Sequence, residues 1–149
     1  MVTTTKSVFA NPTFTLPAQP AVTTSEKYWG KAGVKWMGET FRAQFMGLEV
    51  PEVSEGEFLL RPLVAPTQSS PVVEELGDKA ETPVSQLHAF MDANRGKPGW
   101  FPTFAVGNDG RLWTVNFGWS GGSGGWRVGA SPVGDPSEWY SGYQVLSRN

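Results

Sequence analysis

Apolar and polar residues alternate most regularly in residues 111–130. Trp113, Val115, Phe117 and Trp119 fall on one side of an extended chain, with Leu112, Thr114 and Asn116 on the other. Trp126, Val128 and Ala130 resume the same period after the run Ser120-Gly121-Gly122-Ser123-Gly124-Gly125. Upstream, residues 100–106 form another apolar stretch with Pro102 near its start. The Gly107-Asn108-Asp109-Gly110 that follows is hairpin-turn chemistry, because Asn and Gly tolerate the positive φ such turns need. Pro132, Gly134 and Pro136 end the third strand, and residues 141–147 supply a last one. The pattern predicts an antiparallel meander of residues 100–106, 111–119, 126–130 and 141–147.

The periodicity changes at residues 82–94. Val84, Leu87, Phe90 and Met91 share one face of a helix, with Thr82 placed to cap it and Pro83 suited to its first turn. Asn94 and Gly96 supply the stop. Residues 57–64 read as a strand in which Pro62 belongs at an edge or bulge. Residues 65–82 read as a loop with one short helical turn at residues 72–76. Between Glu39 and Gly47, Phe41, Ala43 and Phe45 alternate with Arg42 and Gln44, which predicts a strand. A helix through Met37, Phe41 and Phe45 competes, and Gly38 and Gly47 favour the strand.

Residues 1–25 carry few charges and are punctuated by Pro12, Pro17 and Pro20, which excludes a helix and predicts an extended arm. The arm reads first as a tail; Phe9, Phe14 and Leu16 give it the alternative of docking on its own domain or on a neighbour. The domain division is thus an arm, 1–25, and one globular unit, 26–149, as the 149-residue length suggests. The fold expected is α+β: an antiparallel sheet of about five or six strands, curved or barrel-like, with one main helix packed on it.

Composition narrows the function classes. With no cysteine there is no disulfide, thiolate metal site or cysteine nucleophile. No apolar run is long enough to span a membrane, and the first residues lack the pattern of a signal peptide. The expectation is a soluble protein without membrane partners, in the cytoplasm or in a particle assembled there. The net charge of −2 is unevenly spread: residues 1–48 carry five bases against two acids, and residues 49–82 two against eight. His88 is the only histidine, in the middle of the helix of residues 82–94, and its ordinary role there is a hydrogen-bonded side chain at the core boundary. The acids lie mainly in loops, and no nucleophile elbow, phosphate loop or metal motif occurs. No catalytic residue, metal ligand or cofactor is therefore assigned, and a small hydrolase ranks last.

Seven Trp exceed what a small core needs, so one or two are expected at the surface. Trp119 and Trp126 bracket the glycine run; Trp100 and Trp139 flank turns. Basic and aromatic residues interleave in Tyr28, Trp29, Lys31, Lys35, Trp36 and Arg42, and Arg127 adjoins Trp126. These nine residues, Tyr28, Trp29, Lys31, Lys35, Trp36, Arg42, Trp119, Trp126 and Arg127, form the candidate partner-binding set. The reading is a non-catalytic protein-interaction or accessory protein that engages a protein partner or a second copy of itself. The alternative is a single-stranded nucleic-acid binder, in which bases stack on rings while cations follow the phosphates.

Overall fold

The structure, a computed structural model, describes residues 12–149. The first half of the described chain runs β1 (Phe14–Leu16), β2 (Val22–Thr23), α1 (Glu26–Lys31), β3 (Val34–Met37), α2 (Glu39–Phe45), β4 (Glu49–Val50) and β5 (Gly56–Pro62). The second half runs α3 (Ser69–Leu76), α4 (Val84–Ala93), β6 (Trp100–Val106), β7 (Leu112–Ser120), β8 (Gly125–Pro132) and β9 (Gln144–Arg148), with a 3-10 turn at Gly77–Lys79. The fold is α+β and its strand pairing is mostly antiparallel. The strands form separate sheets, β1-β5-β9, β2-β4 and β3-β8-β7-β6, rather than a closed barrel.

The alternation of residues 100–130 is realised as β6, β7 and β8, paired antiparallel in register Phe101↔Phe117 and Phe117↔Val128. Gly110 takes φ +78° in the turn between β6 and β7, the conformation for which glycine is the ordinary choice. The meander is not completed by the last strand. After Pro132 the chain leaves the sheet, and Trp139 is tied to Thr67 by backbone hydrogen bonds of 2.6 and 3.0 Å. That tie carries β9 to β5, against which it pairs antiparallel from Phe58↔Arg148 to Pro62↔Gln144. Beside β8 stands β3 instead, and it is parallel.

The sequence expectations for the first half change more. Residues 39–45 are the helix α2, not a strand. Phe41 and Phe45, one helical turn apart, stack with ring centroids at 5.0 Å, and Phe41 meets Trp29 edge-on at 5.1 Å. Both Phe side chains are buried, which a strand would achieve only by burying Ala43 in place of that aromatic contact. Of the Thr/Pro-rich stretch, Phe14–Leu16 pairs with residues 56–58 and Leu16 is buried, so this part is sheet rather than tail. Phe9 lies outside the described residues. Pro62 ends β5 where β1 no longer flanks it, leaving its missing donor without a ladder to break.

Four helices are present among the described residues, not one main helix. The expected single turn at residues 72–76 is the longer α3. Thr82 does not cap α4: its buried hydroxyl pairs with that of Thr103 at 2.8 Å, and Pro83 occupies the cap position. Gly96, at φ +83°, supplies the left-handed residue beyond the helix.

Two hydrophobic clusters result. The larger gathers Trp29, Phe41, Phe45, Leu87, Phe90 and Met91 from the helices with Phe101, Val115, Phe117 and Trp126 from the sheet. The smaller joins Val72 and Leu76 of α3 to Phe104, Trp139 and Val145. Phe104 lies on the opposite side of β6 from Phe101 and Ala105, so the larger sheet separates the two clusters.

Candidate binding surface

The smaller cluster covers only part of its side of the sheet. Across the uncovered part, the register aligns Trp36 with Arg127, Arg127 with Gly118, and Gly118 with Trp100, one position from each of β3, β8, β7 and β6. Of the seven indoles, only Trp36 (49 % exposed) and Trp100 (42 %) are exposed. Trp29, Trp113, Trp126 and Trp139 are buried and Trp119 is half-buried.

A bulge places the first of these rings. Val34 pairs with Trp126 and Trp36 with Arg127, so two steps of β3 oppose one of β8 and Lys35 is the extra residue. Val34 stays buried while Lys35 and Trp36 are both exposed in succession, which regular alternation forbids. The Lys35 stem crosses over Gly125, where any Cβ would collide with its Cγ. The Arg127 guanidinium lies over the Trp36 ring, 4.7 Å from its centroid.

Glycines form the floor. A Cβ on Gly118 would sit 2.9 Å from Cε3 of Trp100, so the Trp100 indole lies across the vacant position. Above Gly129, no heavy atom lies within 4 Å of where a Cβ would stand. Trp36, Trp100, Asn116, Arg127, Gly129 and Tyr143 border a cleft of about 520 Å³ around this opening. The Asn116 Oδ1 is buried with no hydrogen-bond partner among the described residues. An unmet buried acceptor of this kind costs about 1–3 kcal/mol. Tyr140, 56 % exposed, continues the aromatic surface, its ring edge-on to Tyr143 at 5.9 Å. Burial, followed by proximity to Tyr140, raises the Tyr143 pKa, so its hydroxyl is a neutral donor at physiological pH.

The structure brings Lys35, Trp36 and Arg127 together and disperses the other candidates. Trp29 and Trp126 are core residues whose indole N–H groups donate to the carbonyls of Phe45 at 2.9 Å and Met91 at 3.0 Å. Trp119 packs edge-on against Trp126 at 5.2 Å, on the side facing the larger cluster. Tyr28 is half-buried and stacks on His88. Lys31 is exposed and its carbonyl accepts from Arg95. Arg42 is exposed and pairs with Glu26 at 3.2 Å. The interleaving of bases and rings in residues 27–31 is therefore mainly the amphipathic face of α1, with Trp29 inward and Lys27 and Lys31 outward.

Sequence alone does not single out Asn116, Tyr140 or Tyr143, and it marks Trp100 only as flanking a turn. One signal for Trp100 existed: a glycine within an otherwise bulky strand, Gly118, marks a place where another group approaches the backbone closely. No group of three or more His, Asp or Glu able to hold a metal occurs among the described residues, and no helix there is long and apolar enough to cross a membrane. No protein-family model matches the chain, and neither a curated protein nor a solved structure is significantly similar to it.

Proposed function

We propose that this chain is a non-catalytic binding protein whose contact surface is the open part of the β3-β8-β7-β6 sheet, centred on Trp36, Arg127 and Trp100. The observation that carries the reading is the placement of the two exposed indoles on one face, beside a guanidinium and around an open cleft. Leaving an indole in water forgoes burial at roughly 25 cal/mol per Å². Trp, Tyr and Arg are also the residues that dominate binding energy when a partner covers them, because large rigid rings lose little entropy on contact.

The test compares the full-length protein with a Trp36→Ala/Trp100→Ala variant against a second copy of itself, a peptide library and single-stranded oligonucleotides. Since neither indole belongs to either core cluster, the variant should keep the thermal midpoint within a few degrees. Binding to whichever probe the native protein takes up should fall tenfold or more. Binding that the double variant retains in full would remove this surface from consideration.

A further inference from the structure

We infer that the occupant of this surface is single-stranded nucleic acid, held by bases lying against the indoles and in the bay above Gly129, with phosphates on Lys35 and Arg127. The inference rests on the contact surface proposed above and names its ligand.

Charge is the first argument. Lys35 and Arg127 are the cations of the surface, and neither forms a salt bridge among the described residues, whereas Arg42, Arg95 and Arg111 are each paired with a carboxylate. Among the described residues, no Asp or Glu borders the cleft. The surface is thus locally cationic on a chain of net charge −2, with both charges free to meet an anion.

Shape is the second. Trp36 and Trp100 stand on the outer strands of the sheet, separated by three strand spacings, about 14 Å between Cα atoms. Between them Gly118 is roofed by the Trp100 ring, while the space over Gly129 is empty. A planar ring such as a nucleobase can lie over this glycine floor. Asn116 also borders the cleft. Bases are reached this way only when unstacked from a complementary strand, which makes the ligand single-stranded. Carbohydrate also stacks on indole, but a sugar's hydroxyls need several polar partners, and among the described residues Asn116 is the only carboxamide bordering the cleft.

The experiment titrates the full-length protein with an oligodeoxythymidylate of about a dozen nucleotides, following tryptophan emission, with the matching duplex and inorganic polyphosphate as controls. The single strand should quench emission and bind more tightly than either control. Its affinity should fall as salt rises, with a log–log slope of about −1.4 for two phosphates neutralised. Lys35→Gln or Arg127→Gln should each flatten that slope by about 0.7. Trp36→Ala and Trp100→Ala should each weaken binding about tenfold. Absence of quenching at low salt, or equal binding of polyphosphate, overturns the inference. If the oligonucleotide fails while the Trp variants abolish self-association in sedimentation, the nucleic-acid ligand falls and the contact surface stands. If the oligonucleotide binds and none of the four variants changes its affinity, both fall.

Discussion

Tyr28 and His88 show how one pair of residues sets a pH dependence. Their rings stack at 3.9 Å, and the His88 Nε2 donates to the Tyr28 carbonyl at 2.7 Å. Burial pushes the Tyr28 hydroxyl up to about 12. Burial also lowers the His88 pKa; the Tyr28 carbonyl and Asp92 oppose the shift, and Arg95 and Lys31 add to it. The folded protein therefore binds a proton at His88 less readily than the unfolded chain. The stability that the neutral imidazole permits is complete above the ordinary value of 6.5 and declines as the pH falls from there through the lowered folded value. Urea midpoints measured across that range should drop on acidification, and His88→Asn should flatten this part of the curve. An equally steep curve in the variant would assign the effect to other groups.

At the scale of elements, α2 illustrates where local pattern ends. The segment Phe41, Ala43, Phe45 fits both a strand and a helix, and what decides is the ring of Trp29 waiting on the helical face. The end of α2 is held from outside as well: Asn108, in the β6–β7 turn, donates from Nδ2 to the carbonyls of Ala43 at 3.1 Å and Met46 at 3.0 Å. The same Asn that marks a hairpin in the sequence thus also caps a helix distant from it in the chain. Asn108→Ala should lower stability by about 1 kcal/mol, read as a shift in urea midpoint with an unchanged slope, since these exposed bonds compete with water. The alternation of β6, β7 and β8 was legible because all their neighbours within the meander are close in sequence. The bulge at Lys35 was not, because a bulge is created by the partner strand.

For the whole molecule, the Thr/Pro-rich stretch is the clearest case of long-range assembly. Leu16 is buried in the larger cluster, and Gln86 of α4 donates to the carbonyl of Ser54 at 2.8 Å and, more loosely, to those of Leu16 and Pro17 at 3.4 Å. Deleting residues 1–25 should therefore lower the thermal midpoint rather than merely release a partner. Leu16→Ala should cost about 2–4 kcal/mol in urea unfolding, the range for emptying a buried leucine site. A midpoint unchanged by either would show that this stretch is dispensable to the core.

Sequence alone determined the pleat of residues 100–130, the presence of a helix within residues 82–94 and the surplus of indoles over what the core could take. These follow from covalent geometry, because successive side chains of a strand point to opposite sides whatever lies beyond them. Tertiary structure decided which neighbours the strands acquired: β3 rather than β9 beside β8, and β9 beside β5. That choice set which cations stand beside which rings. Arg127 meets Trp36 although the two lie 91 positions apart in the chain, a pairing set by burial over the whole chain and absent from any local pattern.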